Sequence, residues 1–149
     1  MPRAPAATAA PARPAATATE SLVGGPDDEA CVRPLTYLKT AADDRVGRRE
    51  AYNAAIAGLA MNAHCPEPRR SVNEGYLLAM RAPAEFALHL GDWNADLNRS
   101  DNLLDACAVS PAFRGTTVAG DCAIQRKFND LVRKRILQLG GGRRPAPAR

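Results

Sequence analysis

Apolar side chains near the C-terminal end of the chain recur every three or four residues, the spacing that places them on one helix face. The residues on this face are Ile124, Phe128, Leu131, Val132, Ile136 and Leu139. The opposite face carries Arg126, Lys127, Asp130, Arg133 and Lys134. Asp121 is a candidate N-cap, and Gly140 is a candidate C-terminal stop. We therefore expect the apolar face to pack against the protein and the charged face to contact solvent.

The segment 43–63 shows a second helical pattern. Its apolar stripe consists of Tyr52, Ala55, Ile56, Leu59 and Ala63. Ala51, Ala54 and Gly58 are small enough to let another helix approach. Pro66 and Pro68 end the segment, because proline cannot continue the backbone hydrogen-bond ladder of a helix.

Shorter patterns complete the fold. Ser71 and Glu74 match a capping box, which predicts a helix start. Pro83 is expected to break or kink that helix, or to begin a new one. A polar loop at 91–100 then leads to a short helix from Asp101. Strand alternation is absent from the sequence, so we predict an all-α bundle of about four to five helices.

Composition divides the chain into three parts. Residues 1–25 are rich in Ala and Pro, and residues 141–149 are rich in Gly, Arg and Pro. Neither part has enough large apolar side chains to offset the entropy cost of ordering. We expect both to be disordered tails on a helical domain at 26–140.

The four cysteines at positions 31, 65, 107 and 122 are widely spaced. Structural zinc sites usually use cysteine pairs two to four residues apart, and this sequence has none. We favour two disulfides, Cys31–Cys65 and Cys107–Cys122, because each pair flanks a helix or turn. The second would contribute about 3 kcal/mol by closing a short loop. The alternative is four reduced, buried cysteines in a cytosolic protein.

Two disulfides predict an oxidising, extracytoplasmic compartment (periplasmic or secreted) or an organelle lumen. The first 25 residues lack the apolar core of a secretory signal, so export would use a leader outside this sequence or a separate route. An organelle transit peptide is a further alternative. No apolar run approaches the roughly 18–20 residues that span a bilayer.

The run 92–101 places oxygen-bearing side chains at alternate positions, as a calcium-binding loop does. The candidate ligands are Asp92, Asn94, Asp96 and Asp101. The run resembles the start of an EF-hand or dockerin loop, but Leu97 stands where the sharp turn of that loop needs glycine. The simpler interpretation is a polar loop between helices, and we expect neither a metal nor another cofactor.

Positive charge is concentrated at the C-terminal end. Residues 121–149 carry eight Lys or Arg against two Asp, whereas 26–120 carry ten bases against thirteen acids. The candidate partner contacts are Trp93, Arg126, Lys127, Arg133 and Lys134. We expect the partner to be another protein, and a nucleic acid or anionic lipid surface is the alternative. A lone tryptophan such as Trp93 more often packs onto its own helices.

The sequence contains no nucleophile elbow, P-loop, zinc-binding helix motif or dinucleotide-binding turn. His89 lies near Asp92 and Asp96, and a carboxylate could orient it as a general base. The leading hypothesis is a non-enzymatic structural or protein-interaction module, exported as an accessory subunit. A helical module that binds calcium or an anionic partner comes second, and a small secreted enzyme third.

Overall fold

The computed structural model describes residues 29–140 and shows five α-helices in this range. They are α1 (Glu29–Ala41), α2 (Arg48–Asn62), α3 (Arg69–Leu88), α4 (Trp93–Val109) and α5 (Thr117–Gln138), with a 3-10 turn (Pro111–Phe113) after α4. No strand occurs among the described residues, which confirms the all-α prediction. The expected tails at 1–25 and 141–149 lie outside them. In the described part, no helix is both long and apolar enough to cross a membrane.

The bundle is organised around α3, which contacts each of the other four helices. α1 and α2 contact each other and α3, and α4 and α5 likewise contact each other and α3. Val72, Leu104 and Phe113 belong to the apolar core that the 3-10 turn closes. A smaller apolar cluster includes Ala54 and Ala55 of α2.

α2 packs through its smallest side chains. Ala51, Ala54, Ala55 and Gly58 are buried, whereas Ile56 of the predicted stripe is exposed. A Cβ atom at Gly58 would lie only 2.7 Å from Cδ2 of Leu77 in α3. The close approach of α2 and α3 therefore needs the small residues, and most of the predicted stripe is not the buried face. The expectation that the small residues admit another helix is confirmed.

Both predicted disulfides are present, and the described residues include no free cysteine. Cys31–Cys65 joins the start of α1 to the turn between α2 and α3. Cys107–Cys122 joins α4 to α5, with Cα atoms 6.1 Å apart. The buried side chain of Asn73 donates to the carbonyl oxygen of Cys31 at 3.0 Å, next to the first disulfide.

The predicted capping box at Ser71 and Glu74 is wrong. α3 begins at Arg69, and the carboxylate of Glu67 accepts hydrogen bonds from the backbone N–H (3.0 Å) and hydroxyl (2.8 Å) of Ser71. Glu67 thus binds an amide of the first turn that has no partner within the helix. Glu74 instead forms an ion pair with Arg99 of α4.

α3 continues through Pro83 to Leu88, so Pro83 neither breaks this helix nor begins a new one; a kink at Pro83 stays a prediction. Proline removes one backbone hydrogen bond, but both neighbouring residues, Ala82 and Ala84, are buried in the bundle and hold the helix in place. Similarly, Thr116 caps α5, and the predicted cap Asp121 lies inside the helix.

The predicted polar loop at 91–100 is also wrong. The side chain of Asp92 accepts hydrogen bonds from the backbone N–H groups of Asn94 and Ala95, so α4 begins at Trp93. The polar residues after it belong to a helix that extends to Val109 and includes the short helix predicted from Asp101.

Candidate interaction surface on the last helix

α5 packs against α4 through polar side chains. Asn129 is completely buried, and its Nδ2 donates to Oγ of Ser100 at 2.9 Å and to Oδ1 of Asp101 at 3.0 Å. The Ser100 hydroxyl in turn donates to the carbonyl oxygen of Gly75 in α3 at 2.7 Å. This chain of hydrogen bonds links α5, α4 and α3, because each buried polar group needs a partner.

Two arginines of α5 form ion pairs with acids of α4. Nη2 of Arg133 lies 2.7 Å from Oδ2 of Asp101, and Nε of Arg126 lies 3.2 Å from Oδ1 of Asp105. Arg126 also binds Asp130 within α5 at 2.6 Å, and this hydrogen bond raises the pKa of Arg126 above its ordinary value. Arg126 and Arg133 are therefore engaged inside the molecule and are not a solvated basic face.

The apolar face of α5 points away from the bundle. We call Ile124, Phe128, Leu131 and Leu139 the apolar stripe. Each of the four exposes between 53% and 60% of its surface. The expectation that this face packs into the core is wrong for all four, and only Ile136 of the predicted face is fully buried. The apolar face points outward because the opposite face of α5 is held on α4 by hydrogen bonds and ion pairs. These are made by Asn129, Arg126 and Arg133.

Exposed bases flank the apolar stripe. Lys127, Lys134 and Arg135 are exposed, and none of them forms an ion pair with another residue of the described range 29–140. The structure therefore divides the predicted basic contacts into two groups. Arg126 and Arg133 hold α5 on the bundle, whereas Lys127 and Lys134 remain available next to apolar side chains.

Trp93 lies at the start of α4 and is half-buried. Its ring meets that of Phe86 edge to face, with centroids 6.4 Å apart and an interplanar angle of 80°. This geometry is favourable for aromatic pairs and fixes the first turn of α4 on the last turns of α3. A role of Trp93 in partner contact stays a prediction.

The four candidate calcium ligands do not converge. Asp92 caps α4, Asp96 binds Arg81, Asp101 binds Arg133, and Asn94 is exposed on the first turn. Within residues 29–140, no group of three or more His, Cys, Asp or Glu side chains could hold a metal ion. The alternate positions that suggested a loop belong to a helix, in which side chains two residues apart point in different directions.

Glu85 forms a buried acidic pair with Asp96. Arg81 binds both carboxylates, with its Nε 2.6 Å from Oδ2 of Asp96 and 3.3 Å from Oε2 of Glu85. Glu85 is 4% exposed, and its Oε1 has no hydrogen-bond partner in the described part. Burial, reinforced by the neighbouring Asp96, raises the pKa of Glu85 to about 8. The sequence showed Glu85 only as an acid on a helix.

His89 is the C-cap of α3, with left-handed backbone (φ 58°), and is exposed. Asp92 and Asp96, the carboxylates proposed to orient it, bind backbone amides and Arg81 instead. Two cavities of about 220 Å³ each lie on either side of Val72, one beside Phe113 and one beside Tyr76. Both are smaller than the usual range for pockets that bind small molecules.

Comparisons of the chain with models of protein families, with curated proteins and with solved structures find no match.

Proposed function

We propose that this protein is a non-enzymatic interaction module that binds another protein through the apolar stripe of α5. The observation that carries the proposal is the orientation of α5. Ile124, Phe128 and Leu131 are exposed, whereas the polar side chain of Asn129 is buried against α4. A contiguous apolar surface costs solubility unless a partner covers it, and such surfaces typically mark interaction sites. An amphipathic helix is a common element of protein recognition.

The two disulfides support an exported protein. Disulfides persist in oxidising compartments and are rare in the reducing cytosol. They hold both halves of the bundle, at the start of α1 and between α4 and α5. We therefore place the interaction outside the cytoplasm, with this protein as an accessory subunit of a larger assembly.

The test compares partner binding by three forms of the oxidised full chain. The first is the wild type, the second is Phe128→Ser/Leu131→Ser in the apolar stripe, and the third is Val109→Ser, a matched control because Val109 is exposed at the end of α4. Proteins retained from an extract of the source organism are identified, and each is then purified and titrated against all three forms.

The proposal expects a saturable complex with one purified partner, unchanged in the Val109 control and weakened at least tenfold in the stripe variant. Exposed substitutions rarely change stability by more than about 0.5 kcal/mol, so all three forms should unfold at similar denaturant concentrations. Equal affinity of the stripe variant and the wild type for every purified partner would refute the proposal.

A further inference from the structure

The exposed side of α5 has the spacing of a coiled-coil seam. Ile124, Phe128, Leu131 and Arg135 are separated by four, three and four residues, and all four are exposed. This alternation places side chains on a narrow line that another helix can follow, in the pattern of core positions in a heptad repeat. A helix that lies in a membrane interface presents a broader apolar face without a central charge such as that of Arg135.

The free lysines occupy one defined flank of this seam. Lys127 and Lys134 are seven residues apart, and each directly precedes a seam residue, Phe128 or Arg135. The 4-3-4 spacing makes Phe128 and Arg135 the a positions of a heptad repeat, so the lysine before each of them is at a g position. Side chains at g positions form ion pairs with the facing helix. The opposite flank, the e position, carries the uncharged residues Gln125 and Val132. One flank of the seam therefore carries two lysines that form no ion pair within the described range. Asp130, which lies between them along α5, pairs instead with Arg126 and Arg133.

A second copy of the chain does not supply the missing negative charge. In an antiparallel pair the two g positions face each other, so lysine would face lysine. In a parallel pair each g position faces an e position of the partner, so Lys127 would face Val132. The first arrangement is repulsive, and the second contains no ion pair.

We propose that the partner docks as an amphipathic α-helix with acidic side chains beside its apolar seam, a proposal that rests on the function proposed above. The acids of the partner pair with Lys127 and Lys134. The seam from Ile124 to Arg135 is 12 residues long, or about 17 Å at 1.5 Å per residue, which is less than two heptads. Contact over this length favours a moderate affinity that depends on ionic strength.

The test uses two synthetic 21-residue helical peptides with leucine at every core position. One has glutamate at all e and g positions, and the other has lysine there. Each is titrated by fluorescence anisotropy, up to 1 mM peptide, against the oxidised full chain at low and at high salt. The wild type is compared with Lys127→Glu/Lys134→Glu and with Lys39→Glu/Arg48→Glu. Lys39 and Arg48 are exposed bases on α1 and α2, so this control makes the same change of charge away from α5.

The proposal expects the wild type and the control to bind the glutamate peptide at least tenfold more tightly than the lysine peptide, with weaker binding at high salt. The Lys127→Glu/Lys134→Glu variant should reverse this preference. Equal binding of both peptides, or no binding of the glutamate peptide, would overturn the proposal. A dimer of the full chain in sedimentation, or binding to phosphatidylglycerol vesicles that Leu131→Ser abolishes, would also overturn it in favour of a second copy or a membrane.

Failure of this proposal is distinguishable from failure of the proposed function. If Phe128→Ser/Leu131→Ser weakens binding of the natural partner but neither peptide binds, the stripe is an interaction surface and the acidic-helix inference is wrong. If the stripe variant binds the natural partner normally, the proposed function itself is wrong.

Discussion

The substitution Glu85→Gln is expected to remove most of the loss of stability that the wild-type protein shows between pH 5 and pH 8. In the folded protein the pKa of Glu85 is about 8, because the side chain is buried and lies beside Asp96. In the unfolded chain its pKa is close to the ordinary value of 4.5. Between these two values the folded state holds a proton that the unfolded state has released.

The sign follows from proton linkage. A carboxyl group whose pKa is raised by folding stabilises the folded state less as the pH rises, because unfolding then releases a proton. The free energy of unfolding falls by up to about 1.4 kcal/mol per pH unit in this window. The full interval between the two pKa values, 4.5 and about 8, already includes the lowering by Arg81 and sets an upper limit of roughly 5 kcal/mol on this loss. Above pH 8 this contribution stops changing.

Glutamine keeps the shape of glutamic acid and stays neutral throughout, and its amide can donate to Asp96 as the protonated acid does. Urea denaturation of the oxidised protein at half-unit steps from pH 5 to pH 9 measures the effect. The variant should match the wild type within about 1 kcal/mol at pH 5 and exceed it at pH 9. Glu50→Gln, an exposed acid of α2, is the control and should keep the wild-type slope. A Glu85→Gln curve parallel to the wild type would refute the assignment of the proton to Glu85.

Three other predictions concern stability in denaturant at pH 7. The double substitution Cys107→Ser/Cys122→Ser should cost about 3 kcal/mol, because the disulfide closes a short loop in the unfolded chain, and an unchanged urea midpoint would contradict this. Gly91→Ala should cost about 1–3 kcal/mol more than Gly115→Ala. Both glycines have positive φ, but only at Gly91 would a Cβ meet a buried carboxylate; equal losses would contradict the structure. Asn129→Ala should cost about 2–3 kcal/mol by leaving buried polar partners unsatisfied, and a loss below 0.5 kcal/mol would show that the network contributes little.

The sequence was sufficient to predict the two disulfides and the all-α fold class. Four cysteines can pair in three ways, and the position of each pair around a helix or turn selected the pairing that the structure shows. The C-terminal helix was also predicted, since its apolar repeat is regular. Helix ends were predicted less well. At the start of α3 the sequence showed a capping box at Ser71 and Glu74, but Glu67, which lies before that motif, binds the first turn instead.

The orientation of α5 could not be derived from its own periodicity. Periodicity predicts which side chains of a helix share a face, but the contacts with the neighbouring helix determine which face is buried. Ser100, Asp101 and Asp105 of α4 offer hydrogen-bond acceptors and negative charge at helical spacing, which is complementary to Asn129 and the arginines of α5. That match between two helices is the signal by which the outward apolar stripe could have been found. The polar character of 92–101 instead favoured a loop.

The covalent link between α4 and α5 has a consequence for proteolysis. Arg114 is exposed in the connection between these helices, where a trypsin-like protease could cut the chain. Because Cys107 and Cys122 lie on either side of that position, the two fragments would stay joined and would run as one band on a gel without reductant. Helix α5, for which we propose partner binding, would thus stay tethered to the rest of the bundle after a cut that, without this bond, could release it.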